Sequence, residues 1–225
     1  MIALNPLTRL ETHDVTNQPP PFEDTNLFTT DIALNEAVSR SHAGTHKVRL
    51  AEFGAKCGSA ETAGLAREAN RNPPQLKTFD RYGQRIDEVE FHPAYHALMH
   101  MGLEAGVSSA AWTAKEAGHT LHTALEFLMA QGEASVCCPM TMTYACLPAL
   151  SHQPEVAAQW RPLILAGKYD PSSQPVAHKQ GVTIGMAMTE KQGGADVRAN
   201  TTRAVPVGKG GPGEAYLLTG HKWFC

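Results

Sequence analysis

The chain has 225 residues, 42% hydrophobic and 18% charged, with a formal net charge of -3. This is an ordinary globular composition, long enough for one large domain or two smaller ones. Its 19 Lys and Arg are scattered, which excludes the clustered cations that nucleic-acid binding needs, and no apolar run is long enough to span a membrane.

The 5 cysteines are Cys57, Cys137, Cys138, Cys146 and Cys225. An odd count, uneven spacing and no apolar leader point to a reducing, cytoplasmic compartment. The adjacent Cys137 and Cys138 read as small buried packing residues of a helix.

Residues 1–30, with Pro19-Pro20-Pro21 and little periodicity, read as an extended arm, ordered only if it packs on another surface. Asp31 is an N-cap ahead of Ile32, Leu34 and Val38. Residues 41–58 hold a second helix around Val48, Leu50 and Phe53. Ser59 caps a third, which Asn72-Pro73-Pro74 ends.

Residues 75–90 read as a short hairpin insertion turning at Tyr82-Gly83-Gln84. Pro93 suits the first turn of a helix reaching Glu104. From Gly118 to Gly132, Leu121, Leu125, Leu128 and Met129 form one buried stripe. His119 and His122 lack further ligands at metal spacing, so no metal is assigned. Ala134 to Leu150 is apolar nearly all round and reads as a buried helix, with Thr141 and Thr143 free to face a neighbouring domain. Val156 to Leu165 forms the next helix, with Trp160 and Leu163-Ile164 inward, and residues 167–173 a loop.

The period then switches from helical to two, placing a boundary near residues 175–182. Val182, Ile184, Met186 and Met188 alternate with Thr183, Gly185, Ala187 and Thr189, giving a strand with one large apolar face and one small face. Gly193 and Gly194 can turn with positive φ and gather N–H groups around an oxygen. Thr201 to Val207 reads as a strand, with Pro206 implying an edge or a bulge. Residues 208–213 are an exposed turn, not a phosphate loop, and Ala215 to Cys225 is the return strand. Because the chain ends inside that pattern, it reads as the N-terminal piece of a longer protein.

Met188-Thr189-Glu190-Lys191-Gln192-Gly193-Gly194-Ala195-Asp196-Val197 resembles the flavin-site signature T-E-x-x-x-G-S-D of acyl-CoA dehydrogenases. Gly220-His221-Lys222-Trp223-Phe224-Cys225 is similar to that family's G-x-K-x-W-I-T strand. Phe91-His92-Pro93-Ala94-Tyr95-His96 and Cys138-Pro139-Met140-Thr141-Met142-Thr143 resemble segments of its alkylation-response, AidB-type branch. The resemblance runs from about Asn17 to the last residue.

It implies an α+β fold: an N-terminal arm over 1–30, a mostly helical domain over 31–178, and over 179–225 the beginning of an antiparallel β-domain. A C-terminal helical domain lies outside the chain. The resemblance implies FAD as cofactor, held by Met188, Thr189, Glu190, Gly193, Gly194, Ala195, Asp196, Val197, Phe224 and Cys225, with Trp223 stacking nearby. Ala195 stands where the family has Ser, and Phe224 aligns with the family Trp. The implied reaction is α,β-dehydrogenation of an acyl-CoA thioester. The family's base is a Glu of the C-terminal helical domain; no residue here matches it, so none is assigned as catalytic. Asp196 reads as a turn or cap residue. The branch also implies a homo-oligomer and an alternative reading as a flavin-bearing, DNA-binding protein of the response to alkylation damage. In that reading DNA meets only the missing C-terminal region. The plainest alternative is a truncated, inactive fragment.

Overall fold

The structure is a computed structural model that describes residues 12–224. Cys225 lies outside the described residues, as does the start of the expected arm.

Helix α1 (Ile32–Arg40) starts where Asp31 accepts a hydrogen bond from the Leu34 amide at 2.8 Å. Helix α2 (Lys47–Cys57) follows a 3-10 turn at Gly44–His46. Helix α3 (Ala60–Arg71) is capped by Ser59, whose hydroxyl accepts from the Thr62 amide at 3.1 Å, and stops at Asn72 before two prolines. Helix α4 (Pro93–Ala105) begins on His92 and Pro93 and ends at Gly106, whose φ of 89° supplies the left-handed cap. A short α5 (Ala110–Thr113) leads to α6 (Gly118–Gly132), α7 (Cys137–Leu150) and α8 (Pro154–Ile164).

The α6 stripe is the centre of the bundle: Leu121, Leu125, Leu128 and Met129 are all fully buried. They pack with Leu50 and Phe53 of α2, Leu98, Met99 and Leu103 of α4, and Met140 of α7. A smaller cluster joins Cys146 and Leu147 of α7 to Ile164 of α8, and Val182 and Ile184 pack against it.

The end of the expected arm belongs to this core. Leu27 and Phe28 are buried, and the Asn26 amide donates to the Ala51 carbonyl at 2.9 Å. Gly54 on α2 and Gly58, the C-cap one turn further on, make the room. A Cβ at Gly54 would come within 2.7 Å of the Phe28 nitrogen, and one at Gly58 within 1.8 Å of the Thr25 oxygen. Residues 12–22 are exposed.

The insertion is the expected antiparallel hairpin, β1 (Gln75–Phe79) with β2 (Arg85–Glu90), turning at Gly83 with φ 80°. The second hairpin pairs β3 (Arg203–Pro206) with β4 (Tyr216–Thr219), and among the described residues Pro206 lies in an edge strand, one of the two expected positions. The chain is therefore mostly helical, followed by short antiparallel strands.

Other expectations are corrected. Residues 181–189 enter no strand ladder; Val182 and Ile184 pack inward, but Met186 and Met188 are exposed. Alternation in the sequence asks for a partner layer, and only its first half meets one. The seventh helix starts at Cys137, since residues 134–136 form the turn that Glu133 braces by accepting from the Val136 amide at 2.9 Å. Cys137 is buried as expected, whereas Cys138 is exposed. Thr141 donates to Glu126 on α6; only Thr143 meets the extended segment. Among the described residues no helix is long and apolar enough to cross a membrane.

Candidate functional site

The two segments that resemble the flavin site lie side by side. The Trp223 amide donates to the Thr189 carbonyl at 3.0 Å, and the Lys191 amide to the His221 carbonyl at 3.1 Å. Between them Glu190 bridges both Gly193 and Lys222. Residues 188–193 thus fold onto 221–223, although neither run is part of a regular strand.

Glu190 holds this arrangement. Its side chain is 1% exposed, and Lys222 Nζ lies 3.1 Å from Oε1. Oε2 accepts from the Thr201 amide at 2.7 Å and the Gln192 side-chain amide at 2.6 Å; Oε1 accepts from the Thr202 amide at 3.0 Å. This environment holds the carboxyl well below the usual carboxylate range. The Thr202 hydroxyl beside it contributes most, though outside strict hydrogen-bonding geometry, followed by the Thr201 amide; burial opposes the shift. Every favourable contribution is a donor to the ionised form, so Glu190 is a fixed anion that braces the loop. Its own amide also donates inward, to the Gly193 carbonyl at 3.1 Å.

The other signature residues divide into those turned inward and those left open. The Gly193 amide donates back to the Glu190 carbonyl at 2.9 Å. Gly193 lies at φ 158°, near the extended limit, and Gly194 is not at positive φ, so the expected pair of left-handed glycines is not formed. Gly194 is needed for space instead: a Cβ there would meet Thr189 Oγ1 at 2.6 Å. Asp196 accepts from the Arg198 amide at 3.2 Å and caps the 3-10 turn Val197–Ala199, in which Val197 is exposed.

Among the described residues, no hydrogen bond engages the N–H groups of Met188, Thr189, Gly194 or Ala195, nor the Thr189 hydroxyl. Asn200 and Lys222 both donate to the Met188 carbonyl, at 2.9 and 3.3 Å, fixing that peptide. Trp223 is partly open, with Lys191 Nζ 5.4 Å from its ring centre, and Phe224 is largely exposed at φ 57°.

The signature did not reveal Lys222, Asn200, Thr201 or Gln192 as bracing residues. One signal was present: a lone Glu in one segment and a lone Lys in the other. His122 and His119 have other partners, the Val107 carbonyl at 2.6 Å and the Tyr144 hydroxyl at 3.0 Å respectively.

Residues 17–171 match the family described as the adaptive response protein AidB N-terminal domain. The chain is 44% identical over 217 residues to AidB of Escherichia coli (strain K12), covering 95% of this chain and 39% of that protein. It is 28% identical over 214 residues to acyl-CoA dehydrogenase family member 11 of Caenorhabditis elegans, covering 91% of this chain and 32% of that one. Among solved structures it is similar to Caenorhabditis elegans ACDH-11 in complex with C11-CoA, with TM-score 0.70 and 26% identity over 96% of this chain and 37% of that one. It is also similar to the apo form of Bd2924, with TM-score 0.74 and 25% identity over 92% of this chain and 41% of that one. The chain thus spans about two fifths of these proteins or less. It belongs to the acyl-CoA dehydrogenase family, in the branch that carries the AidB N-terminal domain.

Proposed function

We propose that this chain contributes a helical portion and the flavin-facing loop of an FAD-dependent oxidoreductase acting on the CH–CH bond of acyl-CoA thioesters. The observation that carries this reading is the division of donors in the 188–195 loop. Glu190 and Gly193 bond each other, and the Glu190 carboxylate accepts from the Thr201 and Thr202 amides. Among the described residues, the N–H groups of Met188, Thr189, Gly194 and Ala195 have no partner, and Trp223 beside them is partly open. Unpaired donors on a loop braced by Glu190 suit a ligand with several acceptors and a flat ring, as FAD has.

Within this reading, Thr189 and Met188 would supply donors to the flavin ring, Gly194 and Ala195 would supply donors to phosphate or acyl-CoA oxygens, and Trp223 and Phe224 would offer aromatic surface to the ring. Ala195 offers only a backbone donor where the family has a hydroxyl. Glu190 and Asp196 keep the loop in shape and touch no reacting atom. FAD, when bound, accepts the hydride. The chain supplies orientation and donors, and none of its residues is assigned as the base. The acyl-CoA class of substrate is supported by the relative solved with C11-CoA.

The test is made on the full-length protein. Purified, it should carry a yellow cofactor that bleaches when an acyl-CoA is added without oxygen. Thr189→Val should weaken FAD binding by about five- to tenfold, the loss of one hydrogen bond. A colourless full-length protein that takes up no added FAD would sink the reading.

A further inference from the structure

We propose that Thr143 is a positioning residue: its hydroxyl holds the helical bundle to the segment that leads into the flavin-facing loop. The proposal rests on the flavin reading above.

Thr143 is fully buried on α7. Its hydroxyl donates to the Pro139 carbonyl at 2.7 Å and accepts from the Ile184 amide at 3.0 Å. The first bond fixes the hydroxyl proton on the helix, so a lone pair is left facing the incoming amide. One turn further along the same face, Cys146 and Leu147 receive the side chains of Val182 and Ile184. The Val182 amide adds a longer bond to the Leu163 carbonyl at 3.4 Å.

The extended segment is therefore tied at residues 182 and 184 and has no ladder partner from there to Thr189. Its register is set at the two ends: by Glu190 and Lys222 at the loop, and by Thr143 at the helices. A strand inside a sheet would be aligned by its neighbours. At its helical end this one takes its alignment from the Thr143 hydroxyl, backed by the longer Val182 bond and by the packing of Val182 and Ile184. Removing that hydroxyl leaves the Ile184 amide without a partner and lets the donors at Met188 and Thr189 drift relative to the bundle.

The experiment compares full-length wild type with Thr143→Val, which keeps the shape and removes the hydroxyl, and Thr143→Ser, which keeps the hydroxyl. Ile184→Pro removes the same bond from the other side, together with the packing of the Ile184 side chain on Cys146 and Leu147, and leaves the larger α6-centred core unchanged. Amide hydrogen exchange at Ile184 is read with flavin stripped, alongside FAD titration and the visible circular dichroism of bound flavin. In T143V the Ile184 amide should exchange at least about tenfold faster. The α6 amides should stay as protected as in wild type. FAD should bind about five- to tenfold more weakly in T143V and I184P, with an altered dichroism band. T143S should restore wild-type values.

Wild-type exchange at Ile184 in T143V overturns the proposal, as does a T143S protein no better than T143V. Equal FAD binding by wild type, T143V and I184P overturns it while leaving the flavin reading intact. A wild type that binds no FAD removes both.

Discussion

Glu190 and Lys222 lie 32 residues apart in the chain, yet their charged atoms meet at 3.1 Å, with the carboxylate buried and the ammonium partly exposed. The pair closes the 188–193 loop onto residues 221–223. Because donors to the ionised form hold Glu190 below the usual carboxylate range, the stability it contributes follows pH in one direction. The contribution is complete above the pKa of the unfolded carboxylate. It declines as pH falls toward the folded value, because the unfolded chain then binds the proton first. Glu190→Gln should remove that component and flatten the acid limb of stability against pH. The measurement is chemical unfolding between neutral and acid pH, and an unchanged acid limb in E190Q would contradict the assignment.

Asp170 behaves in the same sense. The Ser172 hydroxyl, then the Gln180 and Ser172 amides, bring its carboxyl from the ordinary 3.8 down to about 2. Its contribution should be present above pH 3.8 and disappear as pH approaches about 2. In Asp170→Asn the 170–180 loop should lose amide protection at Gln180 at neutral pH, and an exchange experiment reads this directly.

Two glycines should respond oppositely to alanine. Gly58→Ala places a methyl against the Thr25 carbonyl, within 1.8 Å before relaxation, so the turn at 25–28 must shift off α2. Overpacking of this kind costs about 1–3 kcal/mol. Gly64, inside α3, has nothing nearer than Arg67 at 3.9 Å. Gly64→Ala should stabilise by about 0.5–1 kcal/mol through helix propensity alone. Thermal unfolding of the two variants checks both signs.

The described cysteines should separate by reactivity. Burial pushes the thiols of Cys57 and Cys137 up to about 12, reinforced at Cys137 by Glu126 and Glu133 and opposed in small part at Cys57 by Lys56. Cys146 is also buried, and Cys138 is exposed. Iodoacetamide under native conditions should therefore modify Cys138 well before Cys57, Cys137 or Cys146, which should label only on unfolding. Peptide mass spectrometry gives the order, and early labelling of Cys137 would contradict the packing of α6 on α7.

Where the controlling interactions are local, the sequence was sufficient. Asp31 and Ser59 cap their own helices three residues on, Pro73 stops α3, and Leu121 to Met129 form a stripe through the 3.6-residue period alone. Gly83 turns a hairpin whose strands are neighbours in the chain. The 188–197 signature pointed to the acyl-CoA dehydrogenase family, because it is a contiguous run of residues.

The tertiary structure decided what depends on residues distant in sequence. Nothing in the run 182–189 says that Val182 and Ile184 find a helical layer while Met186 and Met188 find none. Gly54 and Gly58 look like weak helix residues until the 25–28 turn lies across them. The glycines of the signature promised free donors, but pairing with Glu190 engages the Gly193 amide, while those of Gly194 and Ala195 meet no acceptor among the described residues. Periodicity reports which face of a segment is apolar; only the folded chain determines whether a partner reaches that face and which amides remain unpaired.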